Sequence, residues 1–200
     1  MIRRPNAEFL ETLSYLDSSD LRADLRRYRD TFRRTLLDAY LRRVILYPDV
    51  IPCLTTLRSD GFRLGLLSNT PSFICDSVLD RFELRGLFDH VSSTWTLKSF
   101  KPDSQIFLHM TEELGVQTEK TLFVGDSLDC DVKGARNVGA LSAYLIREHN
   151  SPKNEEALTP RPDVILRNLE ELHPIVEKVT LRTMLRDLLE PLRAKLQKPK

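Results

Sequence analysis

The chain contains the segment Leu122-Phe123-Val124-Gly125-Asp126-Ser127-Leu128-Asp129-Cys130-Asp131. Its apolar first half predicts a buried β-strand, and Gly125 predicts a tight turn directly after that strand. Two acids follow, Asp126 at the end of the strand and Asp131 at the start of the next helix. Hard carboxylate oxygens at the carboxyl edge of a strand suit an octahedral Mg²⁺ ion. The segment therefore predicts a Mg²⁺ site that involves Asp126 and Asp131.

Helix capping explains part of the same segment. Ser127 or Asp129 suits the first position of a helix, and Asp131 favours the positive end of that helix. Capping accounts for one acid but not for the set of acids. Both interpretations stay open on the residues of this segment alone.

The arrangement of apolar runs predicts the fold class. From Val50 onward, short apolar strands alternate with helices, which is typical of a parallel sheet covered on both faces. We predict an α/β, Rossmann-like core with strands at 62–67, 88–92, 121–125, 141–146 and 164–166. Helices are expected near 50–60, 71–84, 103–115 and 128–138, and glycines suited to helix ends stand at Gly61, Gly115 and Gly139.

Two further motifs lie before the acidic segment. Ser68 and Asn69 close an apolar strand, so the hydroxyl and the following backbone N–H groups can donate to phosphate oxygens at a helix N-terminus. Lys101 precedes Pro102, which restricts the backbone at the lysine and opens a helix, and so fixes where the ammonium reaches. Taken singly, these motifs are an ordinary helix cap and an ordinary surface lysine. Their order along the chain makes them informative.

In this order, Ser-Asn, Lys-Pro-Asp and Gly-Asp-x-x-x-x-Asp resemble three of the four motifs of the haloacid dehalogenase-like (HAD) phosphohydrolases. Receiver domains also combine acids, a hydroxyl residue and a Lys-Pro pair, but their acids precede that pair. The resemblance covers about residues 47–173. It implies that Ser68 and Asn69 bind the transferred phosphoryl group and that Lys101 stabilises it. It also implies Mg²⁺ at Asp126, with Asp131 supporting the metal site or Lys101, and a small phosphorylated metabolite as substrate.

The fourth motif of that family, an Asp-x-Asp pair on an N-terminal strand, has no counterpart upstream of Ser68. By the resemblance this pair supplies the nucleophile and the general acid, so we expect little or no turnover from these residues alone. The nucleophile strand would lie between the strands that end at Ser68 and Asp126. A truncated start is the preferred explanation, and direct pairing of those two strands or a strand donated by another chain are the alternatives. A non-catalytic binding or regulatory protein is the second functional hypothesis.

Composition limits the partners and the compartment. Thirty basic and 29 acidic residues give a formal charge of +1, which favours neither nucleic acid nor an anionic membrane. Three cysteines at unrelated spacings indicate neither a disulfide framework nor a zinc site, so a cytoplasmic location is expected. No run of about 18 apolar residues predicts a membrane span.

Both ends of the chain are predicted to be helical. Residues 1–46 are interpreted as a partial helical cap with an arginine-rich outer face, residues 47–180 as the core and residues 181–200 as an amphipathic tail. Arginine stems that cover apolar neighbours explain that outer face best, and a site for a phosphate-bearing ligand or a polyanion is the alternative. We expect the tail to dock on its own core, and a dimer contact or a partner helix is the alternative. The open sheet is another candidate surface for a homodimer. Residues 148–162 are expected to be a long mobile loop, followed by a helix over 168–179.

Overall fold

The computed structural model describes residues 23–93 and 97–178. Helices and strands alternate along most of this range. The helices are α1 (Ala23–Leu41), α2 (Val50–Ser59), α3 (Ser72–Arg81), α4 (Ser104–Glu113), α5 (Lys133–Asn137) and α6 (residues 172–178). The strands are β1 (Gly65–Ser68), β2 (His90–Ser93), β3 (Leu122–Gly125), β4 (Leu141–Leu145) and β5 (Val164–Leu166). The predicted α/β class and its five strands are confirmed.

The described strands form two separate parallel ladders. One contains β1 and β2, in a register that pairs Ser68 with Ser93. The other has the order β3-β4-β5, in a register that pairs Gly125 with Tyr144. Direct pairing between β1 and β3 was one of the sequence-based alternatives, and it does not occur in these ladders. β1 and β3 each have one edge that no other described strand covers.

The two ladders nevertheless belong to one layer. Leu67 of β1 and Phe123 of β3 both pack on the cluster formed by Ile106, Phe107, Ala135 and Ala140. Phe107 and Phe123 meet edge to face, with ring centroids 4.9 Å apart. The helices α4 and α5 therefore lie under both ladders. We call the space between the open edges of β1 and β3 the seam.

Exposure along the strands is consistent with an open seam. Leu122 and Val124 pack on one face of β3 and Phe123 on the other, so both faces of the strand are covered. Every residue of β3 nonetheless keeps some solvent exposure, whereas four of the five residues of β4 are buried. The remaining exposure of β3 therefore lies along its edge.

Several local predictions are confirmed and two are corrected. Gly61, Gly115 and Gly139 have φ values of 84°, 64° and 76°, as expected where helices end. The N-terminal helix was expected to continue to about residue 46, but α1 ends at Leu41. The reason is that the chain turns there to bury Val44 against Ile74 and Val78.

Residues 148–162, expected to form a mobile loop, are held by specific contacts. Leu158 is 8% exposed and packs with Val132, Tyr144 and Ile146. Asn150 is fixed by hydrogen bonds to three other parts of the chain. The predictions for residues 1–22 and for the tail from residue 181 lie outside the described residues. No described helix is long and apolar enough to cross a lipid bilayer.

Candidate active site

The candidate site lies at the carboxyl ends of β1 and β3, on either side of the seam. Ser68 is the last residue of β1, and Asp126 directly follows β3. The carboxyl ends of parallel strands in an open α/β sheet are the usual position of a ligand site. The sequence placed both residues at strand ends, and the structure brings those ends to the same edge.

Lys101 links the two ladders. Its ammonium Nζ lies 2.7 Å from Oδ1 of Asp131, and it also donates to the carbonyl oxygen of Leu67 at 3.1 Å. The side chains of Lys101 and Asp131 are 15% and 9% exposed. A charge-assisted bond of this length between two largely buried groups fixes the position of the ammonium. The lysine is therefore held at the carboxyl end of β1 and not on the surface.

Asp131 is fixed from three sides. Its Oδ1 accepts from Lys101, and its Oδ2 accepts from the backbone N–H of Ser127 at 3.0 Å. Gly125 leaves room for it, because a Cβ there would lie 2.2 Å from Cγ of Asp131. Ser127 caps the following turn, since its hydroxyl oxygen accepts from the N–H of Cys130 at 3.1 Å. Capping and the ion pair thus coexist in this segment, on different residues.

Asn69 and Ser68 shape the opposite side of the seam. The Asn69 side chain accepts from the N–H of Lys101 at 3.0 Å and donates to the carbonyl oxygen of Lys101 at 3.4 Å. The hydroxyl oxygen of Ser68 accepts from the N–H of Thr70 at 3.1 Å, and Ser93 donates to the carbonyl oxygen of Thr70 at 2.7 Å. The Asn69 side chain thus holds the lysine backbone, while the segment after Ser68 makes a tight turn before α3.

Asp126 contacts two residues that the sequence did not indicate. The Nε2 atom of His149 lies 3.1 Å from Oδ2 of Asp126, and Asn150 donates to the carbonyl oxygen of Asp126 at 3.0 Å. The two partners follow Asp126 by 23 and 24 residues. They stand in the segment expected to be a mobile loop, so no local pattern could have identified them.

The donor set at the seam meets part of what a Mg²⁺ ion needs. This ion is commonly held by one or two carboxylates, with waters and substrate phosphate oxygens completing the octahedron. Asp126 fits the role of a carboxylate ligand at the strand end. Asp131 accepts one hydrogen bond on each carboxylate oxygen, so it holds Lys101 in place, and each oxygen keeps a lone pair with which it can also support the metal site. Within residues 23–93 and 97–178, no three His, Cys, Asp or Glu side chains form a ready-made metal cluster.

A second buried ion pair lies near the ends of β4 and β5. Arg147 donates to Oδ2 of Asp49 at 2.6 Å, and the N–H of Leu169 donates to the same oxygen at 2.8 Å. The guanidinium stacks over the ring of Tyr47, 4.3 Å from its centroid. Burial disfavours the charged carboxylate, but the bonds from Leu169 and Arg147 outweigh it and lower the pKa of Asp49. This pair connects the residues before α2 to the strand ends.

Comparisons with known proteins point to one family. The model of the haloacid dehalogenase-like hydrolase family matches residues 2–139. Glyceraldehyde 3-phosphate phosphatase of Methanopyrus kandleri is 31% identical over 144 residues, which is 70% of this chain and 59% of that protein. Phosphoglycolate phosphatase 1 of Pseudomonas aeruginosa is 31% identical over 148 residues, which is 73% of this chain and 53% of that protein.

A solved structure leads to the same family. The crystal structure of a HAD phosphatase from Thermococcus onnurineus is similar with a TM-score of 0.63 and 34% identity, over 71% of this chain and 63% of that one. The chain spans between about half and two thirds of the length of these three proteins. Its match to the family model extends over more than half of its own residues. The chain belongs to the haloacid dehalogenase-like hydrolase family.

Proposed function

We propose that the site at the seam binds the phosphoryl group of a small phosphorylated metabolite together with Mg²⁺, as part of a phosphatase site. The observation that carries this proposal is the Lys101–Asp131 pair, which holds a buried cation beside the strand ends that carry Ser68 and Asp126. A transferred phosphoryl group spreads negative charge over its oxygens, and its stabilisation needs cations and hydrogen-bond donors that converge on it.

Each residue has a role that follows from its chemistry. The Lys101 ammonium has three N–H donors and gives one each to Asp131 and Leu67, so the third can bond a phosphoryl oxygen. The Ser68 hydroxyl would donate to another phosphoryl oxygen. Asp126 would hold Mg²⁺, which supplies positive charge that offsets the charge of the phosphoryl group when it is bound. Asp131 keeps Lys101 in place.

The names of the similar proteins support a small substrate. One relative is named for glyceraldehyde 3-phosphate and another for phosphoglycolate. Both are phosphate monoesters of short carbon chains. We propose a substrate of this class. We also propose that the protein acts in a reducing cytoplasm, where the free thiols of Cys53, Cys75 and Cys130 would persist.

Covalent catalysis through an aspartyl phosphate needs a further carboxylate, which the family resemblance places on a strand within the seam. Upstream of Ser68 the sequence contains no Asp-x-Asp pair. General acid catalysis alone is typically worth about 10² to 10⁴-fold in rate. We propose that these 200 residues by themselves bind phosphate and turn over substrate slowly or not at all.

A non-catalytic binding protein is the second candidate. It is favoured by the same observation, because the cation and the hydrogen-bond donors needed to bind phosphate are present. The two acids identified at the seam, Asp126 and Asp131, are assigned to Mg²⁺ and to Lys101, and neither is assigned as a nucleophile. The intact mass of the protein from its source cell distinguishes the candidates. A product heavier than 23.1 kDa with an Asp-x-Asp strand supports a phosphatase, and a mass of 23.1 kDa supports a binding protein.

Activity is tested with two phosphate monoesters, phosphoglycolate and glyceraldehyde 3-phosphate, and with a haloacid, 2-chloropropionate. Release of phosphate from the monoesters and of chloride from the haloacid is measured with and without Mg²⁺. We expect phosphate release close to the uncatalysed rate and no chloride release. The control for Asp126→Asn is Asp129→Asn, which makes the same charge change three residues away at an exposed position. Rapid Mg²⁺-dependent phosphate release that only Asp126→Asn abolishes would refute slow turnover, and chloride release would refute the phosphatase assignment.

We also propose that the protein forms a homodimer, through the open edges of β1 and β3 or through the residues from 181 onward. A parallel strand edge can accept a strand from another molecule. Light scattering at several protein concentrations tests it, since a homodimer doubles the mass from 23.1 kDa.

A further inference from the structure

Asn150 occupies the point where the β3–β4 ladder ends. The last paired residues in that ladder are Gly125 and Tyr144. One residue further on, the carbonyl oxygens of Asp126 and Leu145 both accept from the side-chain amide of Asn150, at 3.0 and 2.9 Å. The two N–H donors of one primary amide thus hold the ends of two neighbouring strands.

The remaining groups of Asn150 are also engaged. Its side-chain oxygen accepts from the N–H of Arg147 at 2.5 Å. Its backbone carbonyl oxygen accepts from the hydroxyl of Tyr144 at 3.0 Å. Tyr144 is 5% exposed and Asn150 is half-buried, so water competes weakly for these bonds. Only a short side chain with both donors and an acceptor makes this set of contacts.

The peptide group between Asp126 and Ser127 is held from both ends. Its carbonyl oxygen accepts from Asn150, and its N–H donates to Oδ2 of Asp131 at 3.0 Å. Asp131 is in turn fixed by Lys101. A peptide plane held on two sides cannot rotate freely, so the backbone at Asp126, and with it the direction of its Cα–Cβ bond, is restrained. The contact with His149 then restrains the carboxylate itself.

We infer that Asn150 is a positioning residue, which orients Asp126 toward its ligand through the peptide group that follows it. This inference rests on the proposed function, in which Asp126 holds Mg²⁺. Residues that support a metal ligand without contacting the metal commonly change its affinity by about 10- to 100-fold when they are removed. Asn150 also holds the turn that brings His149 against Asp126.

The test compares Asn150→Ala with Asn154→Ala. Asn154 stands in the same segment, is exposed and accepts one hydrogen bond, from the N–H of Glu156 at 2.9 Å. Mg²⁺ affinity is measured by calorimetry in the presence of inorganic phosphate, and exchange of the Ser127 amide proton is measured without metal. We expect Asn150→Ala to weaken Mg²⁺ binding about tenfold or more and to speed Ser127 exchange, with neither change in Asn154→Ala. Mg²⁺ binding within about twofold of the control, at equal folded fraction, would overturn the inference.

Two further measurements keep the test decisive. If Asn150→Ala does not fold, Tyr144→Phe removes the bond to the Asn150 carbonyl and should weaken Mg²⁺ binding in the same direction by a smaller factor. Unchanged affinity in Tyr144→Phe would then overturn the inference. If the unmodified protein binds no Mg²⁺, the proposed function fails, and Ser127 exchange alone decides whether Asn150 holds the Asp126 peptide group.

Discussion

The ammonium of Lys101 lies 2.7 Å from Oδ1 of Asp131, and this ion pair joins two strand ladders that share no hydrogen bond between strands. Lys101 is bound to the carbonyl oxygen of Leu67 on β1, and Asp131 is bound to Ser127 just beyond β3. The pair therefore ties the two halves of the sheet together. In the proposed function it also holds a cation where a phosphoryl group would bind.

Lys101→Met should destabilise the protein by about 3 kcal/mol, because a buried carboxylate loses its counter-charge. Lys133→Met is the matched control, since Lys133 is exposed on α5 and its removal should change the free energy of unfolding by less than about 0.5 kcal/mol. Urea unfolding at pH 7 measures both variants. Equal stability of the two variants would show that the Lys101–Asp131 contact does not stabilise the fold.

Gly125→Ala should cost about 2 kcal/mol, because the new Cβ would lie 2.2 Å from Cγ of Asp131 and displace that side chain. Gly86→Ala provides the comparison, since a Cβ at Gly86 has no heavy atom within 4 Å. We expect Gly86→Ala to lie within about 0.5 kcal/mol of the parent protein. The packing argument fails if thermal or urea unfolding finds the two alanine variants equally stable.

Asp49→Asn should destabilise the protein by about 3 kcal/mol at pH 7, because it leaves the Arg147 guanidinium, 8% exposed, without its partner. The pKa of Asp49 lies below its ordinary 3.8, since its hydrogen bonds outweigh the cost of burial. Its ionised form thus contributes stability above pH 3.8, and this contribution is lost as the pH falls through the folded-state pKa. The gap between parent and variant should be constant from pH 7 to 5 and shrink below pH 4.

Asp80→Asn serves as the control for that pH series. Asp80 pairs with Arg85 at 3.0 Å, but the two side chains are 66% and 50% exposed. Exposed pairs of this kind contribute about 0 to 1 kcal/mol. Urea midpoints measured between pH 7 and 3 should therefore separate Asp49→Asn from Asp80→Asn at neutral pH. A pH-independent gap for Asp49→Asn would contradict the role assigned to its ionisation.

Thiol reactivity should distinguish Cys130 from the other two cysteines. Burial raises the pKa of the Cys53 and Cys75 thiols to about 11. At pH 8, therefore, about one in a thousand of each of these thiols is ionised to the reactive thiolate. Cys130 is only half-buried. An aromatic disulfide reagent should label one thiol quickly in the folded protein and three in urea. Rapid labelling of all three without denaturant would show that Cys53 and Cys75 are not held in the core.

Local sequence patterns identified the parts of the site that are close in the chain. The apolar run before Asp126, the capping role of Ser127 and the positive-φ glycines all depend on neighbouring residues, and the structure has each of them. The position of Lys101 was predicted from Pro102 and from the family resemblance. Its partner Asp131 was predicted as a support for the lysine or for the metal, and the hydrogen bonds show support for the lysine.

The contacts that the sequence could not reveal are those between distant segments. Asp49 and Arg147 are 98 residues apart, and Asp126 and Asn150 are 24 apart. The polar, proline-containing composition of 148–162 is typical of a mobile loop. Composition does not show, however, that Asn150 donates to the carbonyl groups at the ends of two strands. Leu158, which is buried, packs on the core and helps to anchor the remainder of that segment.

The central claim is that the seam binds phosphate through Lys101, and calorimetric titration of inorganic phosphate in the presence of Mg²⁺ tests it most directly. The account predicts saturable binding to the unmodified protein and to Lys133→Met, and loss of binding in Lys101→Met at a temperature where all three are folded. Equal phosphate affinity in Lys101→Met and Lys133→Met, or no binding to the unmodified protein, would contradict it.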